Sequence, residues 1–176
     1  MEAKIDFKNP SYYDNRELSW IKFDNRVLSE AKDKSIPLLE RLKFVSITSS
    51  NLDEFFMVRV ASLLDMVHAN YKKRDIAGMT AGEQLAEINS ATRELVNTQY
   101  NTYTRSLVPL MNKEGIYLVD AYEDLTKEQE KFVDRYFMES VYPVLTPMAV
   151  DASRPFPLIR NKTLNIAALL SSKQAG

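Results

Sequence analysis

The chain has 176 residues, of which 45% are hydrophobic and 27% are charged, and its formal net charge is −1. This balance favours a packed core over disorder and argues against a broad basic surface for nucleic acid. Because the chain has no cysteine, disulfides, thiol catalysis and cysteine metal sites are excluded. A single histidine argues against a transition-metal site built from protein ligands alone.

Targeting and phosphate-loop motifs are also missing from the sequence. No run of eighteen apolar residues occurs, and residues 1–9 lack the apolar core of a signal peptide. We therefore expect a cytoplasmic protein without a transmembrane segment. The four glycines form no Gly-rich phosphate loop, which argues against a Walker or dinucleotide motif.

The first helices are predicted from capping residues and apolar spacing. Residues 1–13 are polar and suggest an arm. Asp14 and Glu17 have capping-box spacing and predict a helix to about Lys32. Pro37 suits the first turn of a second helix, which ends near Thr48. The positions of the first helix expected to face outward are Lys22, Asp24, Arg26 and Glu30.

A third helix is predicted to begin at Asn51. Asn51 and Glu54 stand in the relation of N-cap and third helical residue, so the asparagine amide can accept a hydrogen bond from a free backbone N–H. Apolar residues then recur at steps of three and four, which is typical of one buried helical face. They are Leu52, Phe55, Phe56, Val60, Leu63, Leu64 and Val67.

The pattern changes in the second half of the chain. Thr80 and Glu83 form another capping-box pair and open a long helix to about Leu107. Four helices with short connections predict an antiparallel bundle. After Pro109 we expect a strand at residues 116–119, a helix from Thr126 to about residue 141, four punctuating prolines, and a buried strand at residues 163–171.

The predicted fold class is therefore mainly α. An antiparallel helical bundle over residues 1–107 is followed by the truncated start of an α/β domain over residues 108–176. Two strands and one helix cannot close a sheet on their own.

Three motifs, in this order and spacing, carry a resemblance to a known family. They are RELSW at residues 16–20, PLLERLKF at 37–44 and NLDEFF at 51–56. Together with SSNLDEFFMVRVA and the later YFMESVYPVLTPMAVD, they make the chain similar to the amino-terminal part of the class 1 polyphosphate kinases. The resemblance covers essentially the whole chain.

The resemblance implies reversible transfer of the terminal phosphate of ATP to inorganic polyphosphate, with ADP as the other product. It implies a phosphohistidine and Mg²⁺ held by later domains, and so no catalytic or metal-binding residue in this fragment, which should be inactive alone. The asparagine of the family motif contacts ATP, and Asn51 is the matching position. The resemblance further implies a homo-oligomer, cytoplasmic or peripheral at the inner membrane.

Several residues have a structural interpretation beside the functional one. Asn51 can be a helix cap instead of an ATP contact, with Ser50 capping if the amide binds. Asp53, Glu54 and Arg59 fit a first-turn dipole and a surface charge. His68 is interpreted as structural. A solvated helix face is the default for Glu40, Arg41 and Lys43.

Aromatic and basic clusters leave two further alternatives open. The aromatic residues Trp20, Phe23, Phe55 and Phe56 are expected in the core, although one of them could line an adenine pocket. The basic residues Lys72–Arg74, Arg154, Arg160 and Lys162 could touch polyphosphate, or could simply be solvated. The competing function is a non-catalytic helical module that binds a partner protein through its fourth helix.

Overall fold

The computed structural model describes residues 6–151, 153–154 and 156–171. The first five residues of the predicted arm, Ala152, the predicted punctuating proline Pro155 and residues 172–176 lie outside that range. The chain forms two compact units, of which the first ends at Leu118 and the second begins at Val119. No described helix is both long enough and apolar enough to cross a membrane.

The first helix, α1, spans Arg16–Lys32. Its N-cap is Asn15, whose side-chain oxygen accepts from the backbone N–H groups of Glu17 and Leu18, both at 3.0 Å. The predicted capping box of Asp14 and Glu17 is therefore wrong. Asn15 lies one residue closer to the free N–H groups, and the Asp14 carboxylate accepts from Lys22 instead, at 3.2 Å.

The predicted break before Asn51 is also wrong. Helix α2 spans Leu38–Phe55, a π-helical turn spans Phe56–Val60, and α3 spans Ala61–His68, with right-handed helical backbone at both junctions. No glycine or proline interrupts residues 48–51. The polar residues there fit a helix interior; Thr48, for example, donates its hydroxyl to the Phe44 carbonyl oxygen at 2.9 Å.

The helix α4 spans Ala81–Thr102 and begins at the predicted capping box of Thr80 and Glu83, which is confirmed. A π-helical turn at Tyr103–Leu107 and α5 at Val108–Lys113 continue the same helical stretch. The helix therefore runs past the predicted end, and the predicted domain boundary at residue 107 falls inside it. Gly115, with a φ of +77°, supplies the left-handed backbone that follows the helix.

The helices of the first unit pack antiparallel. Along the contacts between α1 and the stretch from α2 to α3, residue numbers fall in α1 as they rise in the other stretch, so the two run antiparallel. The contacts between α4 and α2 show that these two helices are antiparallel as well. The pairs with α1 are Ala31 with Arg41, Asp24 with Asn51, and Glu17 with Arg59. The pairs that fix the direction of α4 and the π-helical turn after it are Gln99 with Val45 and Ser106 with Arg41. The buried core includes Ile21, Leu28, Leu52, Phe55, Val60, Leu63, Ile88 and Leu95. The predicted mainly α bundle is confirmed.

In the second unit, α6 spans Lys127–Tyr136 and begins at the capping box of Thr126 and Gln129, as predicted. A π-helical turn follows at Phe137–Val141. The two strands predicted at residues 116–119 and 163–171 are absent from the described residues. A strand forms only when a neighbour accepts its backbone hydrogen bonds, and no such neighbour lies beside these segments in the described part of the chain.

Candidate functional site

A cleft of about 390 Å³ opens between α1 and the helical stretch from α2 to α3. Four side chains come from α1: Arg16, Glu17, Trp20 and Phe23. Eight come from the other stretch: Asn51, Glu54, Phe55, Val58, Arg59, Ser62, Leu63 and Met66.

Asn51 lies half-buried in the wall of this cleft, in the last two turns of α2. Its side-chain Nδ2 donates to Oδ1 of Asp24 at 2.9 Å. The carboxamide is therefore not a helix cap, and the predicted competition between capping and binding does not arise. The free backbone N–H group that Asn51 was predicted to cap does not exist, because residue 51 lies in a helix interior, where the N–H groups are already bonded.

Asp24 is completely buried, although the sequence predicted that it faces outward. Its Oδ1 accepts from Asn51, and its Oδ2 is one of two buried side-chain oxygen atoms without a hydrogen-bond partner among the described residues. Burial raises the pKa of the Asp24 carboxyl, and the hydrogen bond from Asn51 partly offsets that rise.

Glu17 anchors two cations at one side of the cleft. Its carboxylate is buried and accepts from Arg16 Nε at 2.8 Å and from Arg59 Nη1 at 3.2 Å. Arg59 was predicted to be a surface charge, yet its side chain is only 37% exposed. The pairing holds both guanidinium groups near the cleft and leaves further N–H groups on each of them for an anion.

The aromatic residues divide between core and cleft. Trp20 stacks on buried Phe55, with ring centroids 4.3 Å apart and planes 8° apart, and both rings also line the cleft. Phe23 is half-exposed at the cleft and carries the Arg26 guanidinium 5.7 Å from its ring centroid. Phe56 is 42% exposed and lies outside the cleft lining. The cleft therefore offers aromatic surface beside the Asn51 carboxamide.

Other candidate residues do not belong to the cleft lining. His68 is exposed at the end of α3. Arg74 pairs with Glu83 at 2.7 Å, while Arg154, Arg160 and Lys162 are exposed in the second unit. The described residues contain no cluster of three or more His, Cys, Asp or Glu side chains that could hold a metal ion.

The pair Glu40 and Lys43 forms a surface ion pair at 2.6 Å, as a solvated face would. Arg41, predicted on that same face, is instead buried. It donates from Nε to the Ala31 carbonyl oxygen at 2.8 Å and from Nη2 to Ser106 Oγ at 3.3 Å. The free carbonyl at the end of α1 attracts this cation, so its role is structural.

The sequence did not predict that Arg16 and Glu17 line the cleft, or that Asp24 accepts a hydrogen bond from the lining residue Asn51. The burial of the two acids could have been predicted from their spacing. Glu17 and Asp24 precede and follow Ile21 by four and three residues, and Leu28 follows four later, so both acids share the apolar face. An acid on such a face indicates a buried partner on the neighbouring helix.

Comparison with known proteins identifies the family. The family model described as the polyphosphate kinase N-terminal domain matches residues 13–119, and that of the polyphosphate kinase middle domain matches residues 128–176. Polyphosphate kinase from Lactiplantibacillus plantarum is 55% identical over 163 residues, which are 93% of this chain and 23% of that protein. The Bacillus anthracis polyphosphate kinase is 52% identical over 167 residues, which are 94% of this chain and 24% of that protein.

A solved structure agrees. The crystal structure of polyphosphate kinase from Porphyromonas gingivalis matches with a TM-score of 0.64 and 30% identity, covering 82% of this chain and 20% of that one. The chain thus spans about a quarter of the length of the curated relatives it matches. The two family models together cover most of its residues, in the order N-terminal then middle domain. On these grounds, this chain belongs to the polyphosphate kinase family.

Proposed function

We propose that the longer protein to which this sequence corresponds transfers the terminal phosphate of ATP reversibly to inorganic polyphosphate, and that this chain supplies one wall of the ATP pocket. The observation that carries the proposal is the position of Asn51: it lines an open cleft, and its carboxamide is not used as a cap. The resemblance assigns an ATP contact to this residue.

The cleft offers chemistry suited to each part of a nucleotide. A carboxamide can hydrogen-bond a base or a ribose. The exposed part of Phe23 and the edge of Trp20 can pack against a purine. The guanidinium groups of Arg16 and Arg59 can attract the phosphates by charge and hydrogen bonding. Together they would position ATP, and phosphoryl transfer depends mainly on positioning and charge neutralisation.

The reacting groups lie elsewhere under this proposal. A histidine outside this chain would take the terminal phosphoryl group from ATP, releasing ADP, and would pass it to the end of a polyphosphate chain. Mg²⁺ does not fit the described residues, which lack a cluster of metal-ligating side chains. Homo-oligomerisation, and a cytoplasmic or membrane-peripheral location, stay predictions.

The rival function, a helical module that binds a partner through α4, has less support. Helix α4 packs against both α1 and α3, so much of its surface is already used within the bundle. Its inward residues include Ile88 and Leu95, both buried. The exposed ring of Tyr100 does not by itself make a docking face.

Steady-state kinetics of the full-length enzyme test the proposal. Asn51→Ala should raise the KM for ATP about tenfold, because it removes about one hydrogen bond to the bound nucleotide. The substitution also leaves Asp24 without its donor, so it should lower the stability. Leu28→Ala is the matched control, because it destabilises the same helix pair at a fully buried position outside the cleft lining.

The two variants separate the alternatives. An increased KM in Asn51→Ala with an unchanged KM in Leu28→Ala supports a nucleotide contact. An unchanged KM in both variants, with lowered melting temperatures, would show that Asn51 is only a structural residue.

A further inference from the structure

Buried Asp24 and half-buried Asn51 form a hydrogen-bonded pair in which Asp24 is the acceptor and Asn51 the donor. Asp24 has no exposed surface, and its hydrogen bond to Asn51 is 2.9 Å long. The second carboxylate oxygen, Oδ2, is buried and has no partner among the described residues. The hydrogen bond from Asn51 therefore satisfies one of the two oxygen atoms of this buried carboxylate.

The polarity fixes the orientation of the amide. An ionised carboxylate can only accept hydrogen bonds, so the Asn51 atom beside it must be the NH₂ nitrogen. The carbonyl oxygen of Asn51 then lies on the other side of the amide. That oxygen has no hydrogen-bond partner among the described residues and is not among their buried unpartnered atoms, so it keeps solvent-accessible surface. Because Asn51 lines the cleft, the cleft is where a ligand would meet this oxygen.

An accessible carbonyl oxygen selects the kind of group that it can meet. It accepts and cannot donate, and the phosphate oxygens of ATP at neutral pH also only accept. A phosphate contact at this atom is therefore excluded. The donors of ATP are the exocyclic amino group of adenine and the ribose hydroxyls. Because Trp20 and Phe23 place aromatic surface in the same cleft, the base is the part of the nucleotide favoured next to Asn51.

We infer that Asp24 is a positioning residue, which holds the Asn51 amide so that its carbonyl oxygen accepts a hydrogen bond from the 6-amino group of adenine. This inference rests on the proposed function, since it assumes that Asn51 contacts ATP. It adds a residue that never touches the nucleotide and a basis for selecting 6-amino over 6-oxo purines. A 6-oxo purine would bring an acceptor against the fixed carbonyl oxygen.

A purely structural role predicts a different outcome. Burial raises the pKa of the Asp24 carboxyl above its ordinary value, so its ionised form lowers the stability of the fold at neutral pH. Replacement by a neutral side chain of similar size should therefore leave the melting temperature unchanged or raised. A loss of nucleotide selectivity without a loss of stability is a result that only positioning explains.

The experiment uses full-length enzyme with ATP and with ITP, which carries a 6-oxo group in place of the 6-amino group. In Asp24→Asn, the new amide can either accept from Asn51 or donate to it, so the orientation is no longer fixed. In Asp24→Leu, the partner is removed altogether. Both variants should lower the ratio of kcat/KM for ATP to that for ITP by about tenfold, the effect of about one hydrogen bond. Leu28→Ala should leave the ratio unchanged.

The outcomes distinguish this inference from the proposed function. If Asn51→Ala raises the KM for ATP while both Asp24 variants keep the wild-type KM and ATP-to-ITP ratio, Asp24 is not a positioning residue, although Asn51 is still a contact. If the Asp24 variants weaken ATP and ITP equally, the carbonyl oxygen meets a group that both nucleotides share, and the adenine assignment is wrong. If Asn51→Ala changes neither the KM nor the ratio, the proposed function itself fails.

Discussion

The two units of the chain have the same local helix signals, but they differ in which side chains they bury. Each contains a helix that begins at a Thr capping box and continues into a π-helical turn. In the first unit, side chains such as Phe55 and Ile88 are almost fully buried. In the described part of the second unit, the apolar residues Leu158, Leu164, Ile166 and Leu169 are at least 92% exposed. Local sequence thus forms helices in both, whereas burial of a core requires neighbouring elements.

The candidate site belongs to the unit with the core. The cleft is built from α1 and the stretch from α2 to α3, which share the core residues Leu28, Leu52 and Phe55, and Phe55 also lines the cleft. A rigid scaffold keeps cleft residues in a fixed geometry, as a nucleotide contact requires. The comparison therefore predicts that core substitutions in the first unit lower the stability of that unit, while matched substitutions in the second unit leave the stability of the first unchanged.

The largest expected effect comes from two matched ring pairs. Phe55 stacks on Trp20 in the core, and Phe132 stacks on Tyr136 at the surface of α6. Phe55→Ala should lower the free energy of unfolding of the first unit by about 3–5 kcal/mol, from lost burial and the cavity left behind. Phe132→Ala, at a position 59% exposed, should change it by less than about 0.5 kcal/mol.

Urea unfolding followed by the fluorescence of Trp20, the single tryptophan, measures this difference at the first unit directly. Equal losses from the two substitutions would show that the second unit contributes to the same cooperative core, and the comparison between the units would not stand.

A smaller effect separates the two capping boxes. Thr80 accepts from the Glu83 backbone N–H, and Thr126 accepts from that of Gln129, both at 3.3 Å. Thr80→Ala should lower the free energy of unfolding measured by Trp20 fluorescence by about 1 kcal/mol, because the cap is lost from α4, which is packed in the core. Thr126→Ala should reduce the helix content by circular dichroism and leave the Trp20 transition unchanged. A shift of that transition by Thr126→Ala would contradict the account.

The smallest effect is a difference in pH dependence. The backbone N–H of Thr80 and the Arg74 guanidinium hold the pKa of Glu83 below its ordinary value of 4.5, whereas Gln129 does not titrate. A carboxyl with a lowered pKa stabilises the folded state above pH 4.5, and this contribution is lost as the pH falls through the folded-state pKa. Because Glu83 is exposed, solvent screens the effect.

We therefore expect Glu83→Gln to be less stable than wild type at pH 7, with the difference vanishing as the pH falls below 4.5. Urea unfolding of both proteins across this range is the measurement. A difference that stays constant with pH would mean that the Glu83 charge contributes nothing to the cap.

Much of the first unit was predictable from sequence because capping and apolar spacing are local features. The capping box at Thr80 and the buried positions Leu52, Phe55, Val60 and Leu63 are confirmed, whereas Phe56, Leu64 and Val67, predicted on the same face, are exposed. The predicted break before Asn51 was wrong, because Ser and Asn fit helix interiors as well as helix starts. Packing against the neighbouring helix decides which of the two forms. The strands failed for a related reason: a strand depends on hydrogen bonds to distant residues, which local pattern does not specify.

The candidate site shows the same limit. The resemblance pointed to Asn51 as an ATP contact, and Asn51 lines the cleft in the structure. What local sequence did not provide is the support of that residue, since Asp24 lies 27 positions away and Glu17 pairs with Arg59 across 42. Pairings of this kind appear only when two helices are placed side by side. The acid at an apolar spacing was nevertheless a sign that such a partner exists.

The most direct test of the central claim is the equilibrium affinity of the full-length protein for ATP, measured by calorimetric titration of wild type and Asn51→Ala. The account predicts that the Kd rises about tenfold in the variant, the effect of about one lost hydrogen bond, while Leu28→Ala binds as wild type does. An unchanged Kd in Asn51→Ala, with only the melting temperature lowered, would contradict it and leave the cleft as part of the scaffold.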